Sequence, residues 1–263
     1  MSEVIHFAHG NGFPSPCYRQ LFEHLQLRYA CCYIDRIGHS ADFPVTDNWH
    51  CLVNEIIQSI ESQSSQPVIA VGHSLGGVLS FLAAIEKPAL FKSVILLDSP
   101  IIGRFKSNVI RLSKALGMID HVTPAHRTRG RRHHWATREQ AWRYLKSKNL
   151  FKSFTDACLD DYIDFGMNKT DKGYELRFDR DIEYKIYRTI PHILHEYEGQ
   201  LRVPTALIYG NKSDVITPAE VSYMKINYDI ACHETKGSHM FPMEYPKAVA
   251  DLIMSVQDTV VDK

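Results

Sequence analysis

One short segment carries the residue types and spacing of a nucleophile. Gly72-His73-Ser74-Leu75-Gly76 follows an apolar run, Pro67 to Val71, and opens an apolar helical pattern, Val78 to Glu86. A serine on so sharp a strand-to-helix turn projects its hydroxyl clear of the sheet, and the backbone there is strained. Residues two before and two after it approach closely and must lack bulk, as Gly72 and Gly76 do; Gly77 adds room where the helix packs. An ordinary turn that happens to contain serine is the rival explanation. The strand before and the helix after favour a nucleophile. Arg127-Thr128-Arg129-Gly130-Arg131-Arg132-His133-His134 is the sharpest charge feature. It could hold a phosphate or carboxylate, but a solvated face is the default for such a run. No cysteine or histidine cluster has metal-ligand spacing, so neither a metal nor another cofactor is expected.

The elements that must position this turn alternate in type. Val4 to Ala8, Tyr29 to Ile34, Pro67 to Val71 and Ser93 to Leu97 read as strands. Pro16 to Gln26, Trp49 to Ile60 and Val78 to Glu86 read as helices. Nearly continuous apolar strands separated by helices predict a parallel sheet covered on both faces. From about residue 101 to 200 the rhythm breaks and helices dominate. Phe105, Val109, Leu112 and Leu116 fall at helical intervals, and Thr137 with Gln140 looks like a capping box. Thr155 could cap a further helix closed by Gly166, and a helix from Arg180 should stop before Pro191. Tyr174, Leu176 and Phe178 alternate as in a short strand. Alternation resumes with a strand at Thr205 to Tyr209, a helix at Glu220 to Asn227, a strand at Ile230 to His233 and a helix at Pro246 to Val256.

With the turn and its elements in place, the chain resembles the α/β-hydrolase superfamily, of the serine esterase and lipase type with a helical cap. The resemblance covers residues 3–100 and 201–258. It implies an α/β fold with a mostly parallel sheet flanked by helices, a core split between 1–100 and 201–263, and an inserted cap over 101–200. It implies the chain order serine, acid, histidine. Tyr209-Gly210-Asn211-Lys212-Ser213-Asp214-Val215-Ile216-Thr217-Pro218 matches the family's acid loop, which makes Asp214 the expected acid. Gly237-Ser238-His239-Met240-Phe241-Pro242 matches its histidine loop, which makes His239 the expected base. Asp98, just past the Ser93–Leu97 strand, is the main competitor for the acid, because some members place it there; otherwise it caps the following turn. His233 falls inside a strand, and His73 should point away from the nucleophile. His9-Gly10-Asn11-Gly12 resembles the family's oxyanion loop, and implies backbone N–H donors at Asn11 and Leu75. Asp35-Arg36-Ile37-Gly38-His39-Ser40 resembles a structural loop of the family, with Ser40 in place of its last glycine.

Bulk properties narrow the partners. Across 263 residues, 30 Lys and Arg balance 30 Asp and Glu, which gives no reason to expect nucleic acid. No run approaches the roughly 20 apolar residues of a membrane span, and the first residues lack the pattern of a signal peptide. The six cysteines, Cys17, Cys31, Cys32, Cys51, Cys158 and Cys232, read as reduced thiols of a cytoplasmic protein. Thirteen of 28 aromatics lie in residues 101–200, a modest excess that fits an apolar substrate pocket or the block's own core. The expected activity is hydrolysis of a small ester or thioester through an acyl-enzyme on Ser74. Hydrolysis of a carbon–carbon bond in a ring-cleavage product, or a signal-binding receptor with little turnover, are the alternatives.

Overall fold

The computed structural model describes residues 3–260. Six strands form one parallel sheet: β1 (Val4–Ala8), β2 (Ala30–Tyr33), β3 (Val68–His73), β4 (Phe91–Leu97), β8 (Thr205–Gly210) and β9 (Ala231–Thr235), in the order β2-β1-β3-β4-β8-β9. Alternate residues feed opposite cores. Ile69 and Val71 of β3, Ile95 and Leu97 of β4 and Ile208 of β8 face α1 (Arg19–Leu25) and α11 (Pro246–Val260). Val68 and Ala70, Val94 and Leu96, and Leu207 face α2 (His50–Gln63), α3 (Leu75–Glu86) and α10 (Pro218–Tyr228). With both faces covered, the central strands have almost no polar side, which is why they read as apolar runs; the edge strands β2 and β9 are partly exposed. Each fully buried Leu, Ile or Val contributes about 1.5–3 kcal/mol.

Between β4 and β8 the chain folds as six helices and a small sheet. The helices are α4 (Arg104–Ala115), α5 (Ile119–Val122), α6 (Ala125–Arg129), α7 (Arg138–Lys146), α8 (Asp156–Gly166) and α9 (Arg180–Arg188). Thr137 and Thr155 cap α7 and α8 by accepting from Gln140 N–H and Cys158 N–H. The sheet corrects the expected single strand. β7 (Gly173–Leu176) pairs antiparallel with both β5 (His134–Trp135) and β6 (Met167–Thr170), and Phe178 lies beyond it. The helical spacing of Phe105, Val109, Leu112 and Leu116 does form α4 and its exit, but that stripe faces outward: Phe105 is 82% and Leu112 58% exposed. Ser107, Ile110 and Ser113 pack inward instead.

Charged clamps fix this block to the sheet. Arg177 grips Asp35 with two bonds, at 3.0 and 2.5 Å, and Arg19 pairs with the buried Asp161 at 2.7 Å. The loop resembling the family's structural turn therefore anchors the block through Asp35. All six cysteines are free thiols. No helix among the described residues is long and apolar enough to cross a membrane.

Candidate active site

Ser74 links β3 to α3 at φ 52, ψ −113, a conformation that non-glycine residues rarely adopt. Close packing explains the glycines around it. A Cβ on Gly76 would lie 2.0 Å from the Ala8 carbonyl oxygen, and one on Gly72 would lie 2.5 Å from the Gly76 carbonyl. The elbow is tied to the next strand end, where Ser74 N–H donates to the Leu97 carbonyl at 2.9 Å.

That next strand end carries Asp98. His73 is level with Leu97 in the β3–β4 register, so Ser74 and Asp98 leave adjacent strands side by side. Asp98 also has a positive φ, 47°, and its side chain is fully buried. Its carboxylate is saturated with donors. Oδ1 accepts from Gly210 N–H at 3.0 Å; Oδ2 accepts from the Ser213 hydroxyl at 2.5 Å and lies 2.7 Å from His239 Nδ1. A carboxylate on Nδ1 puts the ring proton there and leaves Nε2 free to accept one.

The expectation for Asp214 is thus corrected. Asp214 lines the cavity beside Ser74 but makes no hydrogen bond to His239; the carboxylate that holds the ring is Asp98. Asp98 directly follows the end of β4, level with the elbow, whereas Asp214 lies four residues past the end of β8. The loop after β8 still serves the site, through Gly210 N–H and the Ser213 hydroxyl on Asp98. Nothing in residue type marked Ser213 beforehand; its position next to the expected acid was the one available signal.

Ser74, His239, Asn11 and Leu75 line one cavity of about 650 Å³. Leu75 opens α3, so its N–H has no partner inside the helix, and the Asn11 N–H is likewise unused among the described residues. The Asn11 side chain donates to the Glu183 carbonyl at 3.1 Å, which pins its loop against α9. Gly12, at φ 83, passes beside the Glu183 carboxylate, and Arg131 pairs with that carboxylate at 2.6 Å. The basic run is mostly exposed, as expected of a solvated face, and Arg127, Arg131 and Arg132 also line the cavity.

Two buried neutral histidines brace the site. His73 Nδ1 accepts from the Tyr18 hydroxyl at 2.7 Å, and its Nε2–H donates to the His239 carbonyl at 3.0 Å. Gly10 N–H in turn donates to the Tyr18 oxygen at 3.2 Å. His73 therefore faces away from the nucleophile, as expected, yet it joins the Asn11 loop, the elbow and the His239 loop. Burial, reinforced by the neighbouring His239, pushes its pKa down to about 3. His9 accepts Ile37 N–H at 2.7 Å on Nε2, and burial lowers its pKa to about 4. His233 lies in β9, as expected. Among the described residues, no group of three or more His, Cys, Asp or Glu is arranged to hold a metal ion.

Comparison with known proteins identifies the family. Residues 7–252 match the profile of the Alpha/beta hydrolase family. The Alternaria alternata Abhydrolase domain-containing protein ACTT2 is 26% identical over 227 residues, covering 72% of this chain and 82% of that protein. Human monoglyceride lipase is 30% identical over a shorter stretch of 107 residues, 38% of this chain and 35% of the lipase. Among solved structures, E-2-(acetamidomethylene)succinate hydrolase superposes with a TM-score of 0.77 at 18% identity, over 98% of this chain and 92% of that one. The thioesterase domain from the curacin biosynthetic pathway gives 0.75 at 20% identity, over 97% and 91%. By the extent of the profile match, with the parallel sheet and the serine elbow, the chain belongs to the alpha/beta hydrolase family and is a hydrolase of that fold.

Proposed function

We propose that the protein is a serine hydrolase that cleaves a carboxylic ester or thioester through an acyl-enzyme. The observation that carries this reading is the His239–Asp98 bond at 2.7 Å behind a serine held on a strained elbow in the same cavity. Ser74 Oγ attacks the carbonyl carbon while His239 Nε2 takes its proton. Charge moves to the carbonyl oxygen, where the Asn11 and Leu75 N–H groups hold it. Nε2–H then protonates the leaving alcohol or thiol as its bond to carbon breaks. A water repeats the sequence: His239 removes its proton, hydroxide attacks the acyl carbon, and Ser74 leaves with the proton returned. Asp98 keeps the proton on Nδ1 throughout and stabilises the imidazolium without being protonated. A monoglyceride lipase and a thioesterase domain among the similar proteins support the ester and thioester classes.

In this reading residues 1–100 and 201–263 form the core, and residues 101–200 cap it. Trp135, Leu145 and Phe151 of that block line the cavity and would receive the apolar part of the substrate. With six free thiols the chain suits a reducing compartment, and we place it in the cytoplasm. The test is a panel of 4-nitrophenyl esters from acetate to palmitate. Turnover should fall once the acyl chain outgrows the cavity, and Ser74→Ala should lose about six orders of magnitude in kcat. Activity that survives in Ser74→Ala would end the proposal; a wild type that binds esters without turning them over would leave the receptor reading.

A further inference from the structure

We propose that the cavity carries an anion-binding subsite on its cap side, and that the natural substrate is an ester or thioester with an apolar body and an anionic group, a carboxylate or a phosphate. The inference rests on the reading of this cavity as an active site and names the class of substrate it takes.

The subsite is built from the basic run and its neighbour on the exit of α7. Arg127, Arg131, Arg132 and Lys148 line the same cavity as Ser74 and His239, against two carboxylates, Glu183 and Asp214. The pairing is uneven. Arg131 is committed, with its guanidinium on the Glu183 carboxylate at 2.6 and 3.1 Å. Arg127, Arg132 and Lys148 form no ion pair among the described residues. The only side-chain hydrogen bond among these three is from Arg132 Nε to the His134 carbonyl. Arg132 and Lys148 both rest against the Tyr144 ring, their charges 5.3 and 4.3 Å from its centroid, which holds the two side chains at the cavity's edge. Neither has a carboxylate partner among the described residues, so a bound anion can gain charge-assisted hydrogen bonds from them, and a guanidinium offers it paired donors. The remaining walls are largely apolar and include Trp135, Leu145 and Phe151. An amphiphilic ester matches both parts, its apolar body against these walls and its anionic group against the exposed cations Arg127, Arg132 and Lys148.

Two measurements test the proposal. The first is binding by calorimetry of 4-phenylbutyrate, 3-phenylpropyl phosphate and the neutral 4-phenylbutyramide to the wild-type protein and to the triple variant Arg127→Gln, Arg132→Gln, Lys148→Gln. At low salt an anion should bind at least about tenfold more tightly than the amide, the worth of one charge-assisted hydrogen bond. The triple variant and high salt should both close the gap. Preference for the carboxylate alone or for the phosphate alone identifies the natural group. The second is turnover of 4-nitrophenyl hydrogen adipate against 4-nitrophenyl methyl adipate, where KM should favour the anionic ester and the variant should abolish the ratio. If both esters react with equal KM and the amide binds as well as the anions, the subsite is refuted and the hydrolase reading stands. If the anions bind preferentially but neither ester reacts, the subsite stands and the hydrolase reading falls.

Discussion

Replacing Asp98 by asparagine changes one atom in a fully bonded cluster, and its effect can be worked out atom by atom. The wild-type carboxylate accepts from Gly210 N–H on Oδ1 and from Ser213 and His239 on Oδ2. An asparagine that keeps its oxygen on Gly210 N–H presents NH₂ to the other two. The Ser213 hydroxyl, which already accepts from Val215 and Ile216 N–H, must turn its proton away and lose its bond to this position. His239 Nδ1 can accept only by giving up its proton, so the neutral ring must carry hydrogen on Nε2, where it can no longer take the proton of Ser74. The loss expected for a base held in the wrong tautomer is about four orders of magnitude in kcat, or roughly 5 kcal/mol of transition-state stabilisation. Asp214→Asn, at a cavity-lining position with no bond to the ring, should cost less than about tenfold. Both variants are assayed for kcat and KM on 4-nitrophenyl butyrate, with circular dichroism and thermal melting as controls for folding. A severe loss in Asp214→Asn beside a mild one in Asp98→Asn, with both variants folded, would refute the reasoning and return the acid to the loop after β8.

Two further predictions concern pH and stability. Burial lowers the pKa values of His6, His9 and His73 to about 4, 4 and 3, against an ordinary 6.5. The folded protein keeps them neutral while the unfolded chain takes up protons below 6.5, so their stabilisation is complete above 6.5 and is lost as pH falls toward 4, at up to roughly 4 kcal/mol per pH unit for the three together. Urea unfolding between pH 7 and pH 5 checks this, and a midpoint that does not move would contradict it. Glu55 shows the opposite sign. Burial raises its carboxyl to about 7 from 4.5, although Gly38 N–H donates to it, so its contribution is complete below 4.5 and is lost as pH rises through 7. Glu55→Gln should therefore gain up to roughly 3 kcal/mol on wild type between pH 5 and pH 8. A stability difference that is the same at both values would contradict that.

The central strands were legible in the sequence because they are buried on both faces, so that Val68 to Val71 and Val94 to Leu97 offer no polar alternation to mistake for something else. β6 was not legible: in Met167-Asn168-Lys169-Thr170 only the methionine is buried, so neither composition nor period marks a strand. α4 shows a different limit. Its spacing announces a helix, but spacing cannot say which face turns inward, and here the large apolar residues face out. In the candidate site, Ser74 and His239 were legible because each sits in a loop with distinctive neighbours. The acid was not, since Asp98 and Asp214 both follow carboxyl ends of strands that lie side by side. Only the folded contact, His239 Nδ1 on Asp98 Oδ2, distinguishes them. The buried cluster of Tyr18, His73 and Gly10 depends on hydrogen bonds between residues up to 55 positions apart, and no local pattern announces it.

The most direct test of the central claim is to find the covalent bond. The protein is treated with diethyl 4-nitrophenyl phosphate, whose phosphorus is attacked by an activated serine with loss of 4-nitrophenolate, and the adduct is located by intact-mass and peptide mass spectrometry. One diethylphosphoryl group per chain, on Ser74, formed in step with loss of esterase activity and absent from Ser74→Ala, is the predicted result. A fully folded wild-type protein that stays unlabelled, or that carries the group on another residue while Ser74 is unmodified, would contradict it.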